Sequence, residues 1–445
     1  MGTVGMTWND QTWGFPLVEG SEGEVGLDLT RLRERTGLVA LDPALVNTAP
    51  CTSSITFLDG ERGILHYRGI PIEEFASVER PDFVEVAWHL IFGRLPRRDE
   101  LEAFQTCLEE NASLPEGFLH LLEGFPVDAT PMAMLSATFA SLACFRQQGL
   151  DPHAGHPESA PGSHARWRIQ GQSFEAEACR LLSRGRTLAA WVHRKCLGLG
   201  FIPPEPGLRY AAGLLHMLFA RPPEGFQVDP VLEDALNLLL IVHADHAQSC
   251  STTAVRVVGS SLADLETSCA AGISALGGTR HGRTNVAVLE MLEDLLREGR
   301  SARECLELVR RKGSGLRLMG FGHRIYKNLD PRARLLKACA QRVADHLQVP
   351  DPFLDLAREI EEMALEDPYF IERRLYPNVD FYSGIIMRSL GIPTGMFPVL
   401  FAIARLPGWI AHWRELQEEP GMRIVRPRQI YTGPIRTHYV PLSQR

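Results

Sequence analysis

The sequence predicts a mostly α-helical protein with a short β segment near its N-terminus. Three observations carry the prediction. From Ile72 onward apolar residues recur at helical spacing in one segment after another, whereas strand-like alternation fades after Gly69. Hydrophobic residues make up 45% of the 445 positions, enough for a large core. At roughly 100–200 residues per domain, a chain of this length divides into two or three domains.

Residues 1–50 carry glycine and tryptophan with weak periodicity and read as short strands or irregular structure. Thr52-Ser-Ser-Ile-Thr-Phe-Leu-Asp-Gly60 alternates and closes on Asp59-Gly60, a hairpin signal, with Gly63-Ile-Leu-His-Tyr-Arg-Gly69 as the returning strand. Val84–Phe92 has helical spacing and stops at Gly93; Leu101–Leu108, Met132–Phe145 and Glu175–Val192 follow the same period. Between Gln147 and Arg166 lies a His/Pro/Gly/Ser-rich stretch whose His153, His156 and His164 could bind a metal, though its composition favours an exposed flexible loop. Ala235–Val242 is apolar apart from Asn237, the mark of a helix buried in a larger α-body. Val286–Arg297 is amphipathic, with Leu289, Leu292, Leu295 and Leu296 on or near one face, and Arg334–Leu347 and Phe353–Leu365 give two more helices. The apolar runs Leu238–Val242 and Val399–Ala404 are too short to span a bilayer.

Charge and cysteine usage narrow the function. With 54 acidic residues against 46 Lys+Arg the net charge is −8, so no global positive field gathers nucleic acid. An anionic ligand would need arginines concentrated locally. Nine cysteines between Cys51 and Cys339 form no C-x-x-C pair, which is neither a zinc knuckle nor a disulfide framework and suits a reducing cytosol. Met1–Asp10 lacks a basic region followed by an apolar core, so a soluble, cytoplasmic protein is expected.

Four segments concentrate reactive side chains. His243-Ala-Asp-His246 follows the apolar helix; its histidines share a face and, with Asp245, either chelate a metal, bond to backbone carbonyls or serve an anionic ligand. His281 sits in Gly278-Thr-Arg-His-Gly282, where the glycines permit a left-handed turn or close backbone approach, and its ring could donate to a developing oxyanion. His323 lies in Gly320-Phe-Gly-His-Arg324, with Lys327 and Arg332 following; Asp330-Pro331 would start a helix and fix where Arg332 points. Asp380 precedes Phe381–Leu390, and is either a helix N-cap or a base made stronger by a mouth of Val379, Phe381 and Tyr382. Together they suggest that a carboxylate takes a proton beside a carbonyl, histidines steady the oxygens, and arginines hold carboxylates. That logic fits carbon–carbon bond formation between a thioester and a keto acid.

The chain resembles the citrate synthase family, of the bacterial type, from about Ser53 to Thr432. The motifs that carry the likeness are ITFLDGERGILHYRGIPIEE, HADH followed by STTAVRVVGSS, LMGFGHRIYKNLDPRA, EDPYFIERRLYPNVDFYSGIIMRSLGIP, GWIAHWREL and RPRQIYTG. The resemblance implies a two-domain fold: an N-terminal segment, partly β (1–50), a large helical domain (51–290), a small lid domain (291–399), and a return with a C-terminal arm (400–445). It implies His281, His323 and Asp380 as catalytic residues, with His243, His246, Arg332, Arg405 and Arg426 binding the keto acid. The loop of Leu318, Met319, Gly320 and Gly322 would bind CoA. It further implies acetyl-CoA and oxaloacetate as substrates, no metal or other cofactor, and a homodimer or larger homo-oligomer in which Arg426 reaches a neighbour's site. No nucleic-acid or membrane partner is implied.

The motifs also depart from the family pattern. Where HADHEQNAS is common, this chain reads His243-Ala-Asp-His-Ala-Gln-Ser-Cys-Ser251, with Ala247 for a carboxylate and Ser249 for an amide. Thr279, Arg280 and Arg283 alter the GPxHGGAN turn, the two arginines adding cations beside His281, and Pro407 predicts that the helix carrying Arg405 ends or kinks nearby. Three readings stay open: a Si-type citrate synthase; a 2-methylcitrate synthase or another acyl-CoA/2-oxo acid paralogue; and a weakly catalytic homologue that binds CoA or a carboxylate. The joint presence of His281, His323 and Asp380 argues against the last, since a binder needs no base.

Overall fold

Asp229-Pro230, Asp330-Pro331, Asp351-Pro352 and Asp367-Pro368 all start helices in the same way. The aspartate carboxylate accepts a first-turn N–H while proline fills the position whose own N–H is not needed. Repeated along the chain, such starts give the mostly α body that the helical spacing predicts. The computed structural model describes residues 2–77, 81–145, 174–311, 313 and 315–445. The His-rich stretch with His153, His156 and His164 lies outside the described residues.

The chain forms two compact units, Met1–Ser53 with Val425–Arg445, and Ser54–Ile424. The first contains an antiparallel sheet of β1 (Thr3–Trp8), β2 (Gln11–Glu19) and β3 (Val25–Leu27). Asn9 and Asp10, both at positive φ, form the two-residue turn between β1 and β2. In the second unit β4 (Thr56–Asp59) pairs antiparallel with β5 (Ile64–Tyr67), and β6 (Ile70–Pro71) completes the sheet. The predicted hairpin is present, but Asp59 pairs with Ile64, so residues 60–63 form a wider turn than Asp-Gly alone would make.

The helices that position the site are α1 (Pro230–His243), α2 (Cys250–Gly259), α3 (Leu265–Leu276), α4 (Thr284–Arg297), α5 (Pro331–Leu347), α6 (Val379–Ser389) and α7 (Phe397–Glu418). The last runs through the core, with Ile403, Leu406, Trp409 and Ile410 fully buried. The apolar run at Val399–Ala404 thus belongs to a 25-residue helical stretch, Thr394–Glu418, long and apolar enough to cross a membrane by length and composition. Its most apolar window is 83% buried by the rest of the protein, as for a core helix.

Of the two outcomes expected at Pro407, an end or a kink, the helix does not end there. The interruption of its hydrogen-bond ladder serves to dock another segment: Pro407 has no N–H, and Gly408 donates its own to the Ala244 carbonyl at 3.1 Å. A Cβ at position 408 would lie 2.5 Å from that oxygen, so only glycine allows α7 to lie against the 244–245 turn.

Candidate active site

Loops and helix starts from across the Ser54–Ile424 unit converge on one open cleft of about 510 Å³. Its walls include His246, Ser249, His281, Asn285, His323, Arg332, Asp380, Phe401 and Arg405. Residues up to 159 positions apart, from His246 to Arg405, therefore share one cavity. The two imidazoles and the carboxylate of the sequence reading are brought together.

Hydrogen bonds fix the tautomers of both imidazoles. The backbone N–H of Ser251, in the first turn of α2, donates to His281 Nε2 at 3.3 Å, and the Ser251 hydroxyl lies 3.0 Å from the same atom. A backbone N–H only donates, so Nε2 is bare and Nδ1 carries the proton. His323 is the opposite case. Its Nδ1 accepts from the N–H groups of Ile325 (3.1 Å) and Tyr326 (3.2 Å), leaving the proton on Nε2. Burial, with Arg405 and Arg324 adding repulsion, pushes His281 down to about 4. Burial and Arg332 hold His323 at about 4 as well. At neutral pH both are uncharged rings with one N–H to donate.

Asp380 is not the N-cap of its helix, which corrects one of its two predicted roles. Asn378 takes that position, accepting the Asp380 N–H at 3.0 Å, and Asp380 lies two residues further on. Its carboxylate makes no hydrogen bond among the described residues. Burial raises its pKa to about 6, against the pull of Arg332, with Asp330 adding to the rise. The predicted mouth contracts to Val379, because Phe381 packs on Phe321 (4.9 Å between centroids) and buried Tyr382 donates to Glu361.

Arg332 begins α5 as predicted. Asp330 accepts its backbone N–H and Nε at 3.0 Å each through one oxygen, and Nη2 at 2.8 Å through the other. The second oxygen also accepts the Val379 N–H at 3.1 Å. One buried carboxylate thus orients Arg332 and ties it to the start of the Asp380 helix. Burial opposes the charge on Arg332, but Asp330 outweighs it and keeps the guanidinium firmly protonated. Arg405, 1% exposed in mid-helix, donates Nε to the His243 carbonyl at 2.5 Å and lies over the Phe401 ring.

The two histidines of the His243–His246 segment part company. His243 faces an adjoining apolar cavity of about 280 Å³ with Leu236, Leu239 and Met387, which shares Asn285 and Phe401 with the cleft. Its Nδ1 lies 2.7 Å from the Leu239 carbonyl, and burial takes it down to about 3. His246 stays in the cleft wall, held well below the usual imidazole range by burial and by Arg332, with Nε2 buried and without a hydrogen-bond partner among the described residues. The metal alternative for this segment does not form: Asp245 accepts the Ala247 N–H at 2.9 Å and faces His412, and no group of three potential ligands occurs among the described residues.

Leu318, Met319, Gly320 and Gly322 do not line the cleft. Gly320 accepts the Asn378 N–H, and Gly322 both donates to the Tyr376 carbonyl and accepts from the Asn378 side chain, so this loop braces the approach to Asp380. Arg426 is exposed and belongs to the other compact unit. The glycines beside His281 do not adopt left-handed conformations. What Gly282 provides is close approach, since a Cβ there would collide with the Leu276 carbonyl. Arg280 and Arg283 are exposed, and the cations that act on His281 are Arg405 and Arg324.

Sequence reasoning missed Ser251, Asn285 and Phe401. Ser249 announces itself as the N-cap of α2, accepting the Thr252 N–H, but nothing local marks Ser251 as the partner of His281. Ala247, between these elements, carries φ +49°. A left-handed non-glycine residue costs roughly 1–2 kcal/mol. Part of that is offset by the extra freedom glycine has when unfolded, so Ala247→Gly is expected to stabilise the protein by about 0.5–1 kcal/mol. A lower urea midpoint for Ala247→Gly than for the parent would contradict this.

Comparison with known proteins follows the same line. Residues 44–428 match the family model "Citrate synthase, C-terminal domain". Citrate synthase 1 of Mycobacterium tuberculosis is 44% identical over 429 residues, covering 96% of this chain and 95% of the relative. The citrate synthase of Corynebacterium glutamicum is 44% identical over 430 residues, covering 96% and 94%. Among solved structures, the citrate synthase of Pyrobaculum aerophilum superposes with a TM-score of 0.77 at 32% identity, over 97% of this chain and 98% of the other. The citrate synthase of Thermoplasma acidophilum, solved as a ternary complex with carboxymethyl coenzyme A and oxaloacetate, superposes with a TM-score of 0.78 at 27% identity, over 91% of this chain and 100% of the other.

Proposed function

The chain belongs to the citrate synthase family, and on that premise we propose that it condenses acetyl-CoA with oxaloacetate to give citrate and free CoA. The observation that carries this reading is the convergence of His281, His323 and Asp380 on one arginine-lined cleft, with opposite tautomers on the two rings. Asp380 takes a proton from the thioester methyl. His281 donates Nδ1–H to the thioester oxygen as the C–O bond gains enolate character, which stabilises the charge where it develops. His323 donates Nε2–H to the keto oxygen of oxaloacetate, making its carbon electrophilic. The enol carbon then bonds to that carbon, the keto oxygen takes the proton, and water cleaves the citryl thioester to citrate and CoA. Arg332, Arg405 and His246 hold the oxaloacetate carboxylates; the buried Nε2 of His246, without a partner among the described residues, supports its place there.

The small domain, 291–399, closes over the cleft in this reading, excluding water until the carbon–carbon bond has formed. A neighbouring subunit supplies Arg426, so the working form is at least a homodimer. In support, Arg426 lies in a stretch without regular secondary structure that exposes Ile424, Ile430 and Tyr431. All nine cysteines are free thiols, in keeping with a cytoplasmic setting.

The base sets the pH dependence. Asp380 must be ionised to act, and burial places its titration at about 6. We expect kcat/KM for acetyl-CoA to fall towards tenfold per pH unit below that value, while the histidines remain neutral. A rate flat from pH 5 to 8 would remove Asp380 from the role. The activity itself is tested by thiol release with acetyl-CoA and propionyl-CoA, each against oxaloacetate and other 2-oxo acids. Acetyl-CoA with oxaloacetate should be the best pair; absence of turnover with every pair would overturn the assignment.

A further inference from the structure

The sequence motif around Leu58-Asp-Gly-Glu-Arg-Gly63 supplies no residue to the cleft, yet the structure packs its turn against the loop that carries His323. The Gly60 carbonyl accepts the Lys327 N–H at 2.8 Å, and the Glu61 carbonyl accepts from the Asn328 side chain at 3.4 Å. Gly60 lies so close that a Cβ would overlap the Ile325 carbonyl, and one at Gly63 would stand 2.6 Å from the Leu329 carbonyl. The Glu61 carboxylate pairs with Arg374, four residues before the Asn378 cap of the Asp380 helix. One four-residue turn therefore touches two of the three segments that deliver catalytic groups, those of His323 and Asp380. The loop geometry it imposes bears on chemistry, because the N–H groups of Ile325 and Tyr326 are what keep His323 Nδ1 unprotonated and its proton on Nε2.

We propose that the 60–63 turn is a positioning element: the backbone of Gly60 and Glu61 holds the 323–329 loop so that His323 presents Nε2–H to the keto acid, and the Glu61 carboxylate ties the same turn to Arg374. This rests on the role given to His323 above. Gly60 is the informative position because it is not at positive φ, so alanine is compatible with its own backbone and the conflict is with Ile325, its carbonyl above all. Gly63, at φ +68°, would add strain of its own.

The test compares Gly60→Ala, Glu61→Gln and His323→Gln in the full-length protein, with kcat and both KM values measured alongside thermal midpoints. Gly60→Ala should lose about 10- to 100-fold in kcat/KM for oxaloacetate, with the KM for acetyl-CoA within about twofold of the parent. Glu61→Gln, a substitution on the surface that leaves folding intact, should lose about two- to fivefold in the same parameter with no shift in midpoint. Oxaloacetate kinetics within twofold of the parent in both variants, alongside an inactive His323→Gln, would overturn the positioning role. An active His323→Gln would instead overturn the mechanism on which it rests. Should Gly60→Ala fail to fold, Asn328→Ala, which removes the side-chain contact to the Glu61 carbonyl, takes its place: a loss of about two- to fivefold in kcat/KM for oxaloacetate supports the positioning role, and parent-like kinetics overturn it.

Discussion

Asp380→Asn is expected to lower kcat by about 10³-fold or more and, at pH 8, to make the protein more stable by roughly 1–3 kcal/mol. The first effect follows from removing the base, whose contribution is typically 10²–10⁴-fold. The second follows from its environment. A carboxyl that titrates at about 6 in the fold and at 3.8 when exposed binds its proton more tightly in the native state. The ionised form is therefore a burden that grows as pH rises through that window and is constant above it. Asparagine removes the charge and with it the burden, so the gain should be present at pH 8 and vanish near pH 4. Denaturant titration of parent and variant at both pH values checks this. A variant less stable than the parent at pH 8 would mean that the carboxylate is held by favourable contacts and is not poised as a base.

Arg332→Leu is expected to cost roughly 3–5 kcal/mol of stability in addition to abolishing keto-acid binding. Asp330 is 1% exposed and spends both oxygens on Arg332 and on the Val379 N–H. Removing the guanidinium strands a buried carboxylate. The companion variant Arg332→Leu with Asp330→Leu should recover a large part of the stability while remaining inactive, because no uncompensated charge is then left behind. Equal urea midpoints for the single variant and the parent would show that Asp330 is not confined as described.

How much of this was legible in the chain depends on the range of the forces involved. Helix starts at Asp330-Pro331 and Asp229-Pro230 are local chemistry, and the helices begin there. The β1–β2 hairpin was less visible, because its Asn9-Asp10 turn lacks the glycine that marks such turns most clearly. Asp380 looked like a cap because a carboxylate before an apolar helix usually is one. Asn378, two residues earlier, takes that task and leaves Asp380 to the cleft. Pro407 reads as an end or a kink, but a proline followed by glycine is tolerated in mid-helix when a neighbouring segment accepts the freed N–H, and only the fold places Ala244 there. The tautomers of His281 and His323 depend on N–H groups from Ser251, Ile325 and Tyr326. No sequence spacing specifies that the first of these, 30 residues away, meets its ring.

The central claim is that a carboxylate makes an enol that two neutral imidazoles steady and steer. Its most direct measurement is loss of deuterium from trideuterioacetyl-CoA in ordinary water, followed by mass spectrometry in the presence of malate, whose hydroxyl carbon cannot be attacked. The parent should wash the label out of the recovered thioester, and Asp380→Ala should not, while both still bind oxaloacetate by calorimetry. Washout by Asp380→Ala at the parent's rate would contradict the account.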